Sequence, residues 1–102
     1  MEKLSFEYSG TKPISKRVHV GVVGSGDLEI LMEPLKEKYT QVTIRTRFEG
    51  NSELWKALLD RFFASNDIIA KVEINDFGGT PGVATMRLLQ ALEVSNSVSN
   101  KK

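Results

Sequence analysis

Arg17-Val18-His19-Val20-Gly21-Val22 and Leu28-Glu29-Ile30-Leu31-Met32-Glu33, joined by Val23-Gly24-Ser25-Gly26-Asp27, carry the pattern that decides the fold. Val18, Val20 and Val22 fall on one side of an extended chain, with Arg17, His19 and Gly21 on the other. The same period of two places Leu28, Ile30 and Met32 opposite Glu29, Leu31 and Glu33. Two one-sided strands with a glycine-flanked turn between them make an antiparallel hairpin. If the apolar sets share a face, Val22 opposes Ile30 and Gly24 opposes Leu28, leaving Ser25-Gly26-Asp27 as a three-residue loop. Gly26 is then expected in the left-handed conformation, and Ser25 at the apex in solvent.

Outward from the hairpin, the chain keeps alternating periods. Leu4, Phe6 and Tyr8 predict an edge strand, and Lys12-Pro13-Ile14-Ser15-Lys16 a polar connector. Pro34 ends the second hairpin strand. Val42, Ile44 and Phe48 alternate with Thr43, Arg45 and Arg47 in a third, which Gly50-Asn51 breaks. Leu54, Trp55, Leu58, Leu59, Phe62 and Phe63 then recur at helical spacing, with Asn51 as cap and Glu53 in the first turn. Ile68 to Asn75 predicts another strand. After Asp76-Phe77-Gly78-Gly79, Thr80-Pro81 caps a second helix, expected to run to about Glu93 on Val83, Ala84, Leu88, Ala91 and Leu92.

These elements predict an α+β fold in two layers: four or five mostly antiparallel strands in a mixed sheet, with both helices on one face and water on the other. The unit running from third strand through first helix to fourth strand is a parallel crossover. Residues 1–93 read as one domain, and 94–102 as a disordered tail too poor in apolar surface to offset chain entropy.

Composition excludes more than it selects. A 102-residue chain with 40% hydrophobic and 26% charged residues fits one ordinary globular domain. Net charge of +1 supplies no field to draw the chain onto nucleic acid or an anionic membrane. The start Met1-Glu2-Lys3-Leu4-Ser5-Phe6-Glu7 lacks the apolar run of a signal peptide, and no stretch reaches the length of a membrane span, so a cytoplasmic location is expected. Cysteine is absent, so any thiol the function needs must be imported.

Candidate sites each face a plainer explanation. His19, Ser25 and Asp27 do not form a hydrolytic triad, because roughly 20 Å of extended strand separates His19 from Ser25, and His19 is expected to face Glu33. Asp27, Glu29 and Glu33, with a single histidine in the chain, are too thin a set for a metal and read as solvated strand carboxylates. They leave the stretch from Val18 to Leu35 with three acids and no Lys or Arg, which a basic docking surface could read. Gly21, Gly24 and Gly26 lack the spacing and the following helix of a dinucleotide fingerprint, and Asp76-Phe77-Gly78 stands without the other parts of a kinase. Arg17, Arg45, Arg47 and Lys71 on the open face invite an RNA-binding reading. That reading needs exposed aromatics, whereas Phe48, Trp55, Phe62 and Phe63 are expected in the core, and Glu29, Glu33 and Glu73 interrupt the basic residues. Ser25 remains: either a plain turn former or, between two glycines, a hydroxyl sterically open to a modifying enzyme. The residues leave both a covalently modified carrier and an unmodified protein- or RNA-binding module in play.

Gly24-Ser25-Gly26-Asp27-Leu28-Glu29 resembles the acyl carrier (delta) subunits of bacterial malonate decarboxylases and, more distantly, the carrier subunits of citrate lyase. The resemblance runs from Leu4-Ser5-Phe6-Glu7 through Asn75-Asp76-Phe77-Gly78-Gly79-Thr80-Pro81-Gly82-Val83 to Arg87-Leu88-Leu89-Gln90-Ala91-Leu92-Glu93. It implies that Ser25 carries 2'-(5''-phosphoribosyl)-3'-dephospho-coenzyme A through a phosphodiester, with no catalytic residue and no metal in this chain. It further implies partners: acyl-transferase and decarboxylase subunits, a malonyl transferase and a synthase that attaches the group.

Overall fold

A computed structural model describes residues 1–21 and 26–96. The elements in chain order are β1 (Glu2–Ser9), β2 (Val18–Gly21), β3 (Leu28–Glu33), β4 (Tyr39–Thr46), α1 (Ser52–Ser65), β5 (Lys71–Asp76) and α2 (Pro81–Asn96). These strands form one sheet in the order β1-β4-β5-β3-β2. Each strand pairs antiparallel with at least one neighbour, while β4 and β5 are parallel to each other, as a strand-helix-strand crossover through α1 requires. The sheet is therefore mixed, and β1 is an edge strand as its alternation predicts.

One face of the sheet supplies the core. Leu28, Ile30, Met32, Val42, Ile44, Val72 and Ile74 have no exposed surface, and Trp55, Leu59, Ala84, Leu88 and Ala91 cover them from the two helices. Tyr8 stacks on Phe63 with ring centroids 4.5 Å apart, which fastens α1 over the β1 edge. The connector before β2 is better integrated than its polarity predicts. Ile14 is buried, and Pro13 and Ile69 form a parallel bridge with Ile69 N donating to the Lys12 carbonyl at 2.9 Å.

The hairpin register differs from the expected one. Val20, not Val22, opposes Ile30, and Gly21 opposes Glu29. A strict period of two fixes which residues share a face but not a slip of two residues, because such a slip leaves every face unchanged. Glycine permits this crossing: Gly21 has φ +92°, and a Cβ there would stand 2.1 Å from the Leu28 carbonyl oxygen. Val22, Gly24 and Ser25, on which the three-residue loop rests, lie outside the described residues.

Three further expectations change. Phe48 is 51% exposed, because β4 ends at Thr46, whose Oγ1 accepts a bond from Phe48 N at 3.1 Å and turns the chain out of the strand. Asn51 occupies the cap position of α1 without a side-chain bond, and its carbonyl instead accepts from Trp55 N. Helix α2 runs past Glu93 to Asn96, with Ser95 fully buried; the Ser95 hydroxyl donates to the Leu92 carbonyl at 2.7 Å, and Ser15 Oγ donates to the Ser95 carbonyl. Residues 94–96 thus belong to the domain, and the rest of the expected tail, 97–102, lies outside the described residues. The helix start at Thr80-Pro81 is as expected: Thr80 Oγ1 accepts from Val83 N at 3.2 Å.

Candidate attachment site

Ser25 lies outside the described residues; Gly26 and Asp27, the next two residues of the chain, are described. Gly26 takes φ +82°, the left-handed conformation expected of it, and a Cβ there would meet no atom within 4 Å. Its N–H donates to the Phe77 carbonyl at 3.2 Å, and Phe77 N–H donates to the Asp27 carbonyl at 3.0 Å. The segment after the serine is pinned to the loop between β5 and α2.

Asp76 shapes that loop. It is buried, and its Oδ1 accepts from Gly78 N at 3.0 Å and Gly79 N at 2.9 Å. Its Oδ2 accepts from Thr46 Oγ1 at 2.9 Å. The two glycines then let the loop approach the hairpin: a Cβ on Gly78, at φ +117°, would lie 3.2 Å from Gly26 N, and one on Gly79 would lie 3.0 Å from Leu28 Cδ2. Asp76-Phe77-Gly78-Gly79 is therefore more than a strand-to-helix turn.

Helix α2 adds a third tie. Arg87 Nη2 donates to Asp27 Oδ2 at 2.8 Å and Nε to Oδ1 at 3.3 Å, while Nη1 reaches Gln90 Oε1 at 3.0 Å. Both oxygens of Asp27 engage the guanidinium fork, the stronger kind of ion pair, and the Asp27 and Arg87 side chains are mostly covered, at 18% and 22% exposed. The Arg87 hydrogen bonds, followed by the Leu28 N–H on Oδ1, hold the Asp27 carboxyl below its usual range. The sequence reading gives Arg87 no part. Its place one residue before Leu88, at the margin of the apolar stripe of α2, marks it as half-covered but does not name its partner.

The remaining candidates are elsewhere and already engaged. His19 meets Glu29, not Glu33, at 2.9 Å; in the observed register it stands opposite Leu31, diagonal to Glu29. Glu29 also accepts from Asn75 Nδ2 at 2.8 Å, Glu33 pairs with Arg17 at 3.4 Å, and Glu73 with Arg45 at 3.4 Å. All three acids of the hairpin thus have partners, two of them cations from outside the acidic stretch. Among the described residues, no three His, Asp or Glu side chains gather as a metal site, and no helix is long and apolar enough to cross a membrane.

Residues 15–95 match the family described as malonate decarboxylase delta subunit (MdcD), ACP. The malonate decarboxylase acyl carrier protein of Azotobacter vinelandii is 48% identical over 98 residues, covering 94% of this chain and 99% of that protein. Those of Stutzerimonas stutzeri and Pseudomonas syringae pv. syringae are 43% and 45% identical, each over 91% of this chain and 95% of theirs. The fold matches a chain in the crystal structure of a Pseudomonas malonate decarboxylase hetero-tetramer in complex with malonate, with a TM-score of 0.90 and 39% identity over 94% of this chain and all of that one.

Proposed function

The chain belongs to the malonate decarboxylase delta-subunit family, the acyl carriers of that decarboxylase, and from this premise we propose that Ser25 is the hydroxyl to which the carrier's prosthetic group is attached. The carrier function follows from the family, and other subunits of the decarboxylase are its partners. The proposal concerns the residue, the group and the way the fold serves them.

The observation that supports it is the anchoring of Gly26-Asp27, the two residues after the serine, by Phe77 and Arg87. A carrier holds its cargo by one covalent bond, so it needs no deep pocket. It needs a nucleophilic hydroxyl on a segment that is fixed at its base and uncrowded at its tip. The ties of Gly26-Asp27 to two elements meet the first requirement, and the open Cβ side of Gly26, the next residue, is in keeping with the second. The pairing of Asp27 with Arg87 also offsets the carboxylate closest in sequence, which eases placement of a phosphodiester two residues away.

The group we assign is 2'-(5''-phosphoribosyl)-3'-dephospho-coenzyme A; when bound it supplies a thiol on a long tether, whose thioester carbonyl is a better electron sink than the carboxylate of free malonate. This chain brings no cysteine to that chemistry. Its own residues hold the tether's base in place, so that each acyl transfer takes place between partners already joined. We assign the remaining partners accordingly: acyl-transferase and decarboxylase subunits, a malonyl transferase and an attaching synthase, all in the cytoplasm, with no catalysis by this chain alone.

Intact mass tests the reading. Co-expressed with its attachment enzymes, the full chain gains one prosthetic-group mass, and Ser25→Ala gains none. A chain isolated unmodified from active decarboxylase would instead mark an unmodified binding module.

A further inference from the structure

The geometry points to Arg87 as a positioning residue for loading of the carrier: by gripping both oxygens of Asp27 from α2, it fixes Gly26-Asp27, the two residues that follow the proposed attachment serine in sequence. This inference rests on the assignment of Ser25 as the attachment residue, but its own content is the mechanical link between α2 and the serine segment.

Three observations carry it. First, the link spans the chain, joining residues 60 apart, and is made by a fork that fixes orientation as well as distance. Second, Arg87 is itself held. Gln90 Oε1 takes its third donor direction, so the guanidinium is not free to follow the loop. Third, the backbone ties at Phe77 restrain Gly26 and the Asp27 carbonyl but leave the Asp27 side chain to Arg87 and Leu28 N. Gly26 has no side chain to anchor it, and on the side where a Cβ would stand it meets nothing within 4 Å; its backbone lies against Gly78. Without Arg87, the segment beside the serine would hang on two backbone bonds to a loop that depends on glycines.

A second consequence is electrostatic. A phosphodiester on Ser25 would place a negative charge two residues from Asp27, where an unpaired carboxylate would oppose it. Arg87 pairs that carboxylate in advance. Lysine in its place would keep the charge and lose the fork, so the two contributions are separable.

The test is attachment kinetics on the full chain, followed by intact mass with the attaching synthase and its prosthetic-group precursor, alongside amide hydrogen exchange and thermal melting. Arg87→Ala and Asp27→Asn are each expected to lower kcat/KM for the carrier about tenfold, mainly through KM, and to speed exchange at Gly26 and Leu28 amides. The double variant should be no worse than either single, because the two act as a unit. Arg87→Lys should recover part of the loss. Lys56→Ala, which breaks an exposed ion pair on α1, should match the wild type. Singles that load like the wild type with unchanged exchange, or losses that add in the double variant, would overturn the role. So would losses that merely follow melting temperature. Failure of the wild type to gain mass, or a gain that persists in Ser25→Ala, would instead refute the Ser25 assignment, and hydrogen exchange would still judge the link.

Discussion

Thr46 donates its hydroxyl to Asp76 Oδ2 at 2.9 Å across the parallel β4–β5 pair, with both residues buried at the end of the sheet where the serine segment is anchored. Asp76 thereby joins two strand ends and the glycine loop through three accepted bonds. Asp76→Ala leaves three donors without their acceptor, for a destabilisation of ~2–4 kcal/mol. In a domain of this size that lowers the melting temperature by on the order of 10–20 °C. Thr46→Val removes one of those donors and the acceptor of Phe48 N, and should cost less, ~1–2 kcal/mol. Thermal unfolding checks both, and an Asp76→Ala protein that melts with the wild type would contradict the assigned role.

Glycine substitutions should rank by what a side chain meets. Gly21, Gly50 and Gly78 all have positive φ, but a Cβ at Gly21 would strike the Leu28 carbonyl at 2.1 Å, at Gly78 would press on Gly26 N at 3.2 Å, and at Gly50 would meet nothing. All three alanine variants incur backbone strain of about 1–3 kcal/mol. Gly21→Ala adds a backbone clash and should be the most damaging, Gly50→Ala the least. Denaturant unfolding of the three proteins orders them, and a Gly50→Ala protein less stable than Gly21→Ala would contradict the observed register.

Acid should unfold the protein through a small set of carboxylates. Asp27 is held low by Arg87, Asp60 by Lys56 and then Tyr8, and Asp67 by the hydroxyl and amide of Thr11. In each case the folded chain binds its proton less readily than the unfolded one. The stability they give is therefore whole above the ordinary carboxylate range near pH ~4 and is lost as pH falls through the lowered folded values. Melting temperature should decline on passing below about pH 5. Asp27→Asn should start lower at neutral pH and decline less steeply, whereas a parallel decline would separate Asp27 from the acid response.

Periodicity alone makes the layers legible. Alternation in β1, β3, β4 and β5 identifies the buried face, and helical spacing identifies the cover. What it cannot reach is the slip between β2 and β3, since displacement by two residues conserves every face. Phe48 misleads for a related reason: its parity suits the core, but the strand has already ended at Thr46. The candidate site is half legible. Ser25 and the glycine pair Gly78-Gly79 stand out as local motifs, whereas Arg87 acts on Asp27 from 60 residues away, and no local pattern encodes such a partner. The acidic run of the hairpin shows the converse, because Arg17 and Arg87, lying outside it, pair with two of its three acids.

The attachment residue can be read from one peptide. Trypsin releases Val18 to Lys36 as a single fragment in which Ser25 is the one hydroxyl-bearing side chain. Mass spectrometry of carrier taken from active malonate decarboxylase should find the phosphodiester-linked group on that fragment and on no other. The group located on any other fragment, or this fragment recovered at its bare mass, would contradict the account.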